Sequence, residues 1–339
     1  MVLVANGGNF GDQNGTISSY DPKTDEVRHS PSLNGFLQGL LLDGTNLYAL
    51  VNTFSVGRVH ILDLETMGLI RLLENLPAPR SMVVVGGTAY VSNLVFGSNG
   101  VVVPVTVSTN ESDDPIAVGD VPEGIVEIGG RIYVANSGIL GSGSTLSAFD
   151  VGEQVARTIE VSCDGPRDLF VKNPVVLIIL CTGKTVFNDD FTQILLKTNG
   201  AILFFATDSE TVTNRIDLDT QLGATNGTVA GHYDSVAEEL YATAGDVNAI
   251  YRINTRTYAL DETFVLAPDD GLIGLSGIAY DARSERLYVG RFPRSSAGAF
   301  PDFTSSGSVV ILDRDGTELS SFTVGPAPSQ ILFLDAEIN

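Results

Sequence analysis

Tryptophan is absent from this chain of 339 residues, cysteine occurs twice, histidine three times and lysine four times. Each scarcity removes a class of function. Two cysteines and three histidines, in no ligand-like spacing, argue against a conventional zinc centre. No apolar run approaches the ~20 residues that span a bilayer as a helix, and the longest, Val175 to Cys181, has the length of a strand. Sustained 3.6-residue periodicity is missing as well, so long amphipathic helices are not expected. Basic residues number 19 against 41 acidic ones, a formal net charge of −22. Such a field repels phosphate backbones and anionic lipid, which disfavours nucleic acid and membrane as partners. Catalytic signatures are lacking too. There is no nucleophile elbow, phosphate loop or nucleotide fingerprint, and Gly141-Ser-Gly-Ser144 sits between strands rather than in a strand-to-helix turn.

What the chain has is glycine, proline and a recurring short strand. LYALVN ends at Asn52, AYVSN at Asn93, RIYVAN at Asn136, LYATAG at Gly245 and LYVGR at Arg291. Taking the Tyr or its apolar substitute as anchor gives Leu3, Tyr48, Tyr90, Tyr133, Ile178, Tyr241 and Tyr288, 42 to 47 residues apart except for one interval of 63. Within a unit, strand A follows Pro or Gly, and a tight turn such as Gly86-Gly87 or Gly129-Gly130 leads to strand B with the anchor. A loop then reaches strand C, and an Asp-x-x-Thr turn, as at Asp63 to Thr66, reaches strand D. Seven units of four strands predict an all-β, seven-bladed β-propeller. The first unit lacks a strand A, and the C-terminus supplies an orphan one after Gly325, so the ends are expected to pair and remove exposed sheet edges. The prediction is one domain over 1–339, with blades at 326–334 plus 1–34, 35–76, 77–120, 121–163, 164–224, 225–270 and 271–325.

The segments Tyr90-Val-Ser-Asn93 and Tyr133-Val-Ala-Asn136, each followed by a strand ending in Asp or its equivalent, resemble the YVTN-type β-propeller family. That family takes in YncE-like and surface-layer-like exported proteins and is related to lactonase-like propellers. The resemblance implies a fold and export, while its motifs specify blades rather than chemistry. Blade five departs from it with Leu180-Cys181, and blades six and seven end the motif in Gly and Arg. The missing tryptophan separates the chain from WD40 repeats.

Strand direction puts the B-to-C loops and the D-to-A connections on one face. The B-to-C loops are the long ones, and they hold Phe10, Phe54, Phe96, Phe187, Phe191, Phe292, Phe300 and Phe303. These form either an apolar rim around a binding surface or plugs between neighbouring blades. Polar residues gather where each strand A begins: Gln38, Arg80, Glu123, Arg167 with Asp168, Ser276 and Gln330, with Arg291 and Phe292 at the nearby end of a strand B. Arg80 and Arg167 around Glu123 make either an anion clamp with Glu123 as orienter or base, or a self-satisfied salt-bridge set. The Asn series (Asn6, Asn52, Asn93, Asn136) is expected to cap strand ends, and His232 to line the channel or sit in the core.

Antiparallel pairing about the Lys172-Asn-Pro174 turn puts Cys181 opposite about Pro166, within reach of Cys163. A disulfide there fits an oxidising compartment, and two buried thiols are the alternative. No cofactor is expected, although the acidic pairs Asp189-Asp190 and Asp269-Asp270 and the Asp12 loop offer oxygen ligands that Ca²⁺ would accept. Sequons at Asn14, Asn110 and Asn226 are compatible with export, and an export segment is expected to have preceded the first strand. The leading expectation is an exported, monomeric, non-enzymatic propeller that binds a small molecule, protein or polysaccharide through its elaborated face. A lactonase-like hydrolase using the Arg/Glu pocket and a structural envelope component are the alternatives.

Overall fold

Short β-branched segments separated by Gly-Gly, Asp-Gly and Asp-x-x-Thr turns fold here as antiparallel sheets. The computed structural model describes residues 1–225, 227, 231–266, 271–296, 298 and 300–334. The sequon at Asn226 and the pair Asp269-Asp270 lie outside them. The fold is an all-β seven-bladed propeller, each blade an antiparallel sheet built on strands A to D, with strand A of the first blade coming from Pro328–Phe333. Gly86 and Gly87 (φ 58° and 84°) and Gly129 and Gly130 (φ 63° and 83°) form the A-to-B turns of blades three and four. Two consecutive residues at positive φ match the twist of a hairpin and are strained for anything but glycine or Asn/Asp. At the Asp63 turn the carboxylate accepts the Thr66 N–H and hydroxyl at 2.8 and 2.7 Å, which holds its pKa below the usual carboxylate value.

All seven anchors lie in strands B and are buried. The first blade is completed as expected: Pro328–Phe333 pairs antiparallel with Val2–Asn6, Leu3 facing Leu332 and Val4 facing Ile331. The chain forms two compact units, one of Met1–Ser55, His60–Arg71 and Gly223–Asn339, the other of Val56–Val59 and Leu72–Leu222. In the first unit, Leu3, Ile17, Leu37, Leu47 and Val51 share one cluster, and Tyr241 and Tyr280 stack at 4.9 Å in another. In the second, Tyr133 meets Phe205 edge-on at 6.1 Å amid Leu146, Leu177, Ile179 and Leu203.

The asparagines tie strands together more widely than backbone capping alone. Asn136 donates to the hydroxyls of Thr145 and Ser147 at 2.9 and 3.0 Å, and its carbonyl accepts the Gly119 N–H at 3.0 Å. A Cβ on Gly119 would lie 2.5 Å from the Asn136 amide carbon, so that contact requires glycine. Asn6 repeats the pattern with Thr16 and Ser18, whereas Asn93 donates to the Val91 carbonyl. Cys163 and Cys181 are joined in a disulfide, with Pro166 opposite Cys181 in the A–B ladder of blade five.

Candidate functional site

Three innermost strands of the second unit share a sequence device. Strands A of blades three, four and five (Pro79–Val85, Pro122–Ile128, Pro166–Asn173) each begin with proline. Proline has no N–H to give the ladder and is tolerated at a strand's first residue. Immediately after it the pairing slips: between Pro79 and Ser81, Pro122 and Ile125, and Pro166 and Asp168. The residues left out of register are Arg80, Glu123 with Gly124, and Arg167. Such bulges re-aim side chains and recur at functional sites.

The slip brings Arg80 and Glu123 together. The guanidinium binds the carboxylate through both oxygens, Nε to Oε2 at 3.1 Å and Nη2 to Oε1 at 2.6 Å, with side chains only 19% and 12% exposed. The Ser92 hydroxyl donates to the Glu123 carbonyl at 2.8 Å and so fixes this backbone. Gly124 lets blade five approach, since a Cβ there would lie 2.6 Å from the Arg167 carbonyl oxygen. Arg167 is partly buried beside this contact, and Asp168 is buried. The arginine and the acid are therefore bonded to one another through both carboxylate oxygens. Glu123→Ala is expected to cost about 2 kcal/mol by removing both charge-assisted bonds from a largely buried guanidinium, somewhat less than for a fully buried pair. Urea unfolding checks this, and Arg80→Ala in the same chain should recover part of the loss.

In the first unit the predicted residues are placed differently. Gln38 is buried at a slip between Leu37 and Gly39. Gln330 is engaged structurally: its carbonyl accepts the Leu40 N–H at 2.7 Å. The position matching Arg80 in blade one is Ser329, buried where the register slips, its hydroxyl donating to the Ala5 carbonyl at 3.2 Å. The Pro328-Ser329 dipeptide carried that signal, since it repeats Pro79-Arg80 and Pro166-Arg167. Ser276 is fully buried against Gly290, where a Cβ would lie 2.1 Å from its hydroxyl oxygen. Arg291 and Phe292 are not surface residues. Strand B of blade seven runs on to Pro293, so Arg291 pairs with Ser308 and Phe292 with Ile273, and Phe292 packs edge-on against Phe303 at 5.0 Å.

The loop phenylalanines divide. Phe292 is a plug, and Phe187 and Phe303 are partly buried. Phe54 (70% exposed), Phe96 (86%), Phe191 (71%) and Phe300 (68%) face solvent, as does much of Phe10, which meets Phe54 edge-on at 5.1 Å. The long loop of blade five holds a hairpin of its own, Thr185–Phe187 paired with Ile194–Lys197, whose tip carries Phe191. Its length was visible in the sequence, its strands were not. Asp190 in that tip accepts the Thr192 N–H and hydroxyl, which lowers its pKa and commits it to the turn. Asp302 is likewise held down to about 2 by the hydroxyls of Ser305 and Thr304. Among the described residues no cluster of three or more His, Cys, Asp or Glu is placed to hold a metal, and no helix is long and apolar enough to cross a membrane.

No family model and no curated protein matches the chain in sequence. Solved structures match in fold. A hypothetical selenium-binding protein from Sulfolobus tokodaii is 10% identical with a TM-score of 0.70, over 97% of this chain and 92% of that one. A quinoprotein alcohol dehydrogenase-like protein from Bacteroides thetaiotaomicron is 14% identical at 0.69, over 98% and 77%. Hydrazine synthase of Kuenenia stuttgartiensis is 20% identical at 0.60, over 82% and 78%. Identities this low establish a shared propeller and leave chemistry to the individual site.

Proposed function

We propose that the protein is an exported binding module of the YVTN-type propeller group, taking a ligand or partner through its B-to-C loops, and not a hydrolase. The observation that carries this reading is the Arg80–Glu123 pair. The one acid placed among arginines by the bulged strands is held by two charge-assisted bonds, so it lacks the freedom a general base needs. The loops supply the complementary observation, because exposed Phe54 and Phe300 in the first unit, and Phe96 and Phe191 in the second, each offer apolar contact on a segment between strands. A disulfide between Cys163 and Cys181 supports an oxidising compartment. A thermal-shift screen with sugars, lactones, small carboxylates and Ca²⁺ tests the reading. At least one compound is expected to raise the melting temperature without being consumed, since a native-state ligand at a hundred times its Kd adds about 2.7 kcal/mol. Turnover of a lactone that disappears in Glu123→Gln would overturn it.

A further inference from the structure

A cleft of about 670 Å³ lies in the second unit, at the end of the strands where B-to-C loops and D-to-A connections meet. One wall is the start of strand C in blade four and the connection that follows its strand D, including Ser144, Ser162 and Asp164; the other is Lys197 to Gly200 with Arg215 and Asp217 of blade five. Its volume falls within the 300–1,000 Å³ typical of ligand sites.

The lining is built in advance. Thr198 donates its hydroxyl to Asp164 at 2.9 Å and accepts the Lys184 N–H at 2.8 Å. Arg215 bonds Asp217 through Nε at 2.6 Å and also donates to the Ser162 carbonyl. The Asn199 amide donates to the Leu218 carbonyl at 3.2 Å. The disulfide sits in the floor through Cys163 and fixes one wall to strand B of blade five. Walls held this way lose little freedom when a ligand arrives.

Three features select the ligand's chemistry. First, the four charged residues of the lining (Lys197, Arg215, Asp164, Asp217) cancel, in a chain whose net charge is −22. A cleft for a cation would keep the acidic excess, and one for an anion would reverse it. Second, the apolar residues Val161, Cys163 and Leu218 are each less than a tenth exposed, so polar groups make up the larger part of what the cleft presents, which favours a hydroxyl-rich ligand over an apolar one. Third, hydroxyl, amide, carboxylate and guanidinium groups all line it, giving both donors and acceptors, as a polyol requires.

We infer that this cleft binds a neutral oligosaccharide, an inference that rests on the binding-module reading and specifies its ligand. The probes are maltotetraose, cellotetraose and N-acetylchitotetraose, with tetragalacturonate as the charged control, tested by saturation-transfer NMR and calorimetry on the full chain. At least one neutral probe is expected to bind, at least tenfold more tightly than the control. Asp164→Ala is expected to weaken it at least tenfold. Ser162→Trp, at an exposed position, should block the cleft with the urea midpoint unchanged, which separates loss of binding from loss of fold. Phe191→Ser should leave the affinity as it was. The inference fails if no neutral probe binds, if tetragalacturonate binds better, or if affinity survives both cleft variants. Should another ligand class stabilise the protein through its loop phenylalanines, the cleft assignment falls and the binding-module reading stands; should nothing in either experiment bind, both fall.

Discussion

Removing the Cys163–Cys181 bridge, by reduction or by a Cys163→Ala/Cys181→Ala double variant, is expected to lower stability by about 3 kcal/mol. The two residues are 18 apart in sequence, and closing a loop of that size restricts the unfolded chain by roughly that amount. Both cysteines are buried, and Cys181 ends strand B while Cys163 lies in the connection from blade four. The loss should therefore be local before it is global. Hydrogen exchange ought to rise first in residues 163–200, where the hairpin insertion is anchored, with the urea midpoint falling in parallel. Two titratable thiols in the non-reduced protein, or a midpoint indifferent to reduction, would contradict this.

Acid should weaken the fold through His232. It lies in strand A of blade six (Gly231–Asp234), opposite Tyr241, with its ring edge-on to Phe333 at 6.4 Å. The ring keeps some solvent contact, yet its desolvation dominates over nearby Asp234 and the Tyr280 backbone and pushes its pKa down to about 4. An unfolded histidine titrates near 6.5. Above that pH both states are neutral and the residue adds no pH dependence. As pH falls from 6.5 towards 4, the unfolded chain takes up a proton that the native state refuses, so stability drops by up to ~1.4 kcal/mol per pH unit. Between pH 7 and pH 5 the contribution is about 2 kcal/mol, growing to about 3 near pH 4. His232→Gln should lose correspondingly less than the parent over the same interval, the carboxylates being common to both. Parallel slopes of urea midpoint against pH would show that His232 carries no such linkage.

The blades were legible because their cause is local and repeats. A buried Tyr at one place in strand B and Gly-Gly or Asp-x-x-Thr at the turns fix strand direction without reference to distant residues. Pairing of the chain ends followed from counting strands, and the proximity of Cys163 to Cys181 from hairpin register about a proline turn. The candidate site was less legible, because a one-residue slip decides where a side chain goes. Gln330 and Ser329 differ by one position, yet one accepts a neighbouring strand's N–H and the other occupies the bulge. Arg291 and Phe292 looked like a loop margin only because strand B of blade seven runs longer than its fellows. The choice between clamp and ion pair at Arg80 and Glu123 depends on side-chain reach across two blades, which no spacing rule expresses.

The completing strand of blade one, Pro328–Phe333, is synthesised after the other described strands, and its partner Val2–Asn6 before them. Until Pro328–Phe333 is made, Val2–Asn6 therefore carries an unmated row of backbone donors and acceptors, an invitation to wrong partners. The latch also joins residues as far apart in sequence as Ala5 and Ser329, 324 positions, which places it late on the folding route.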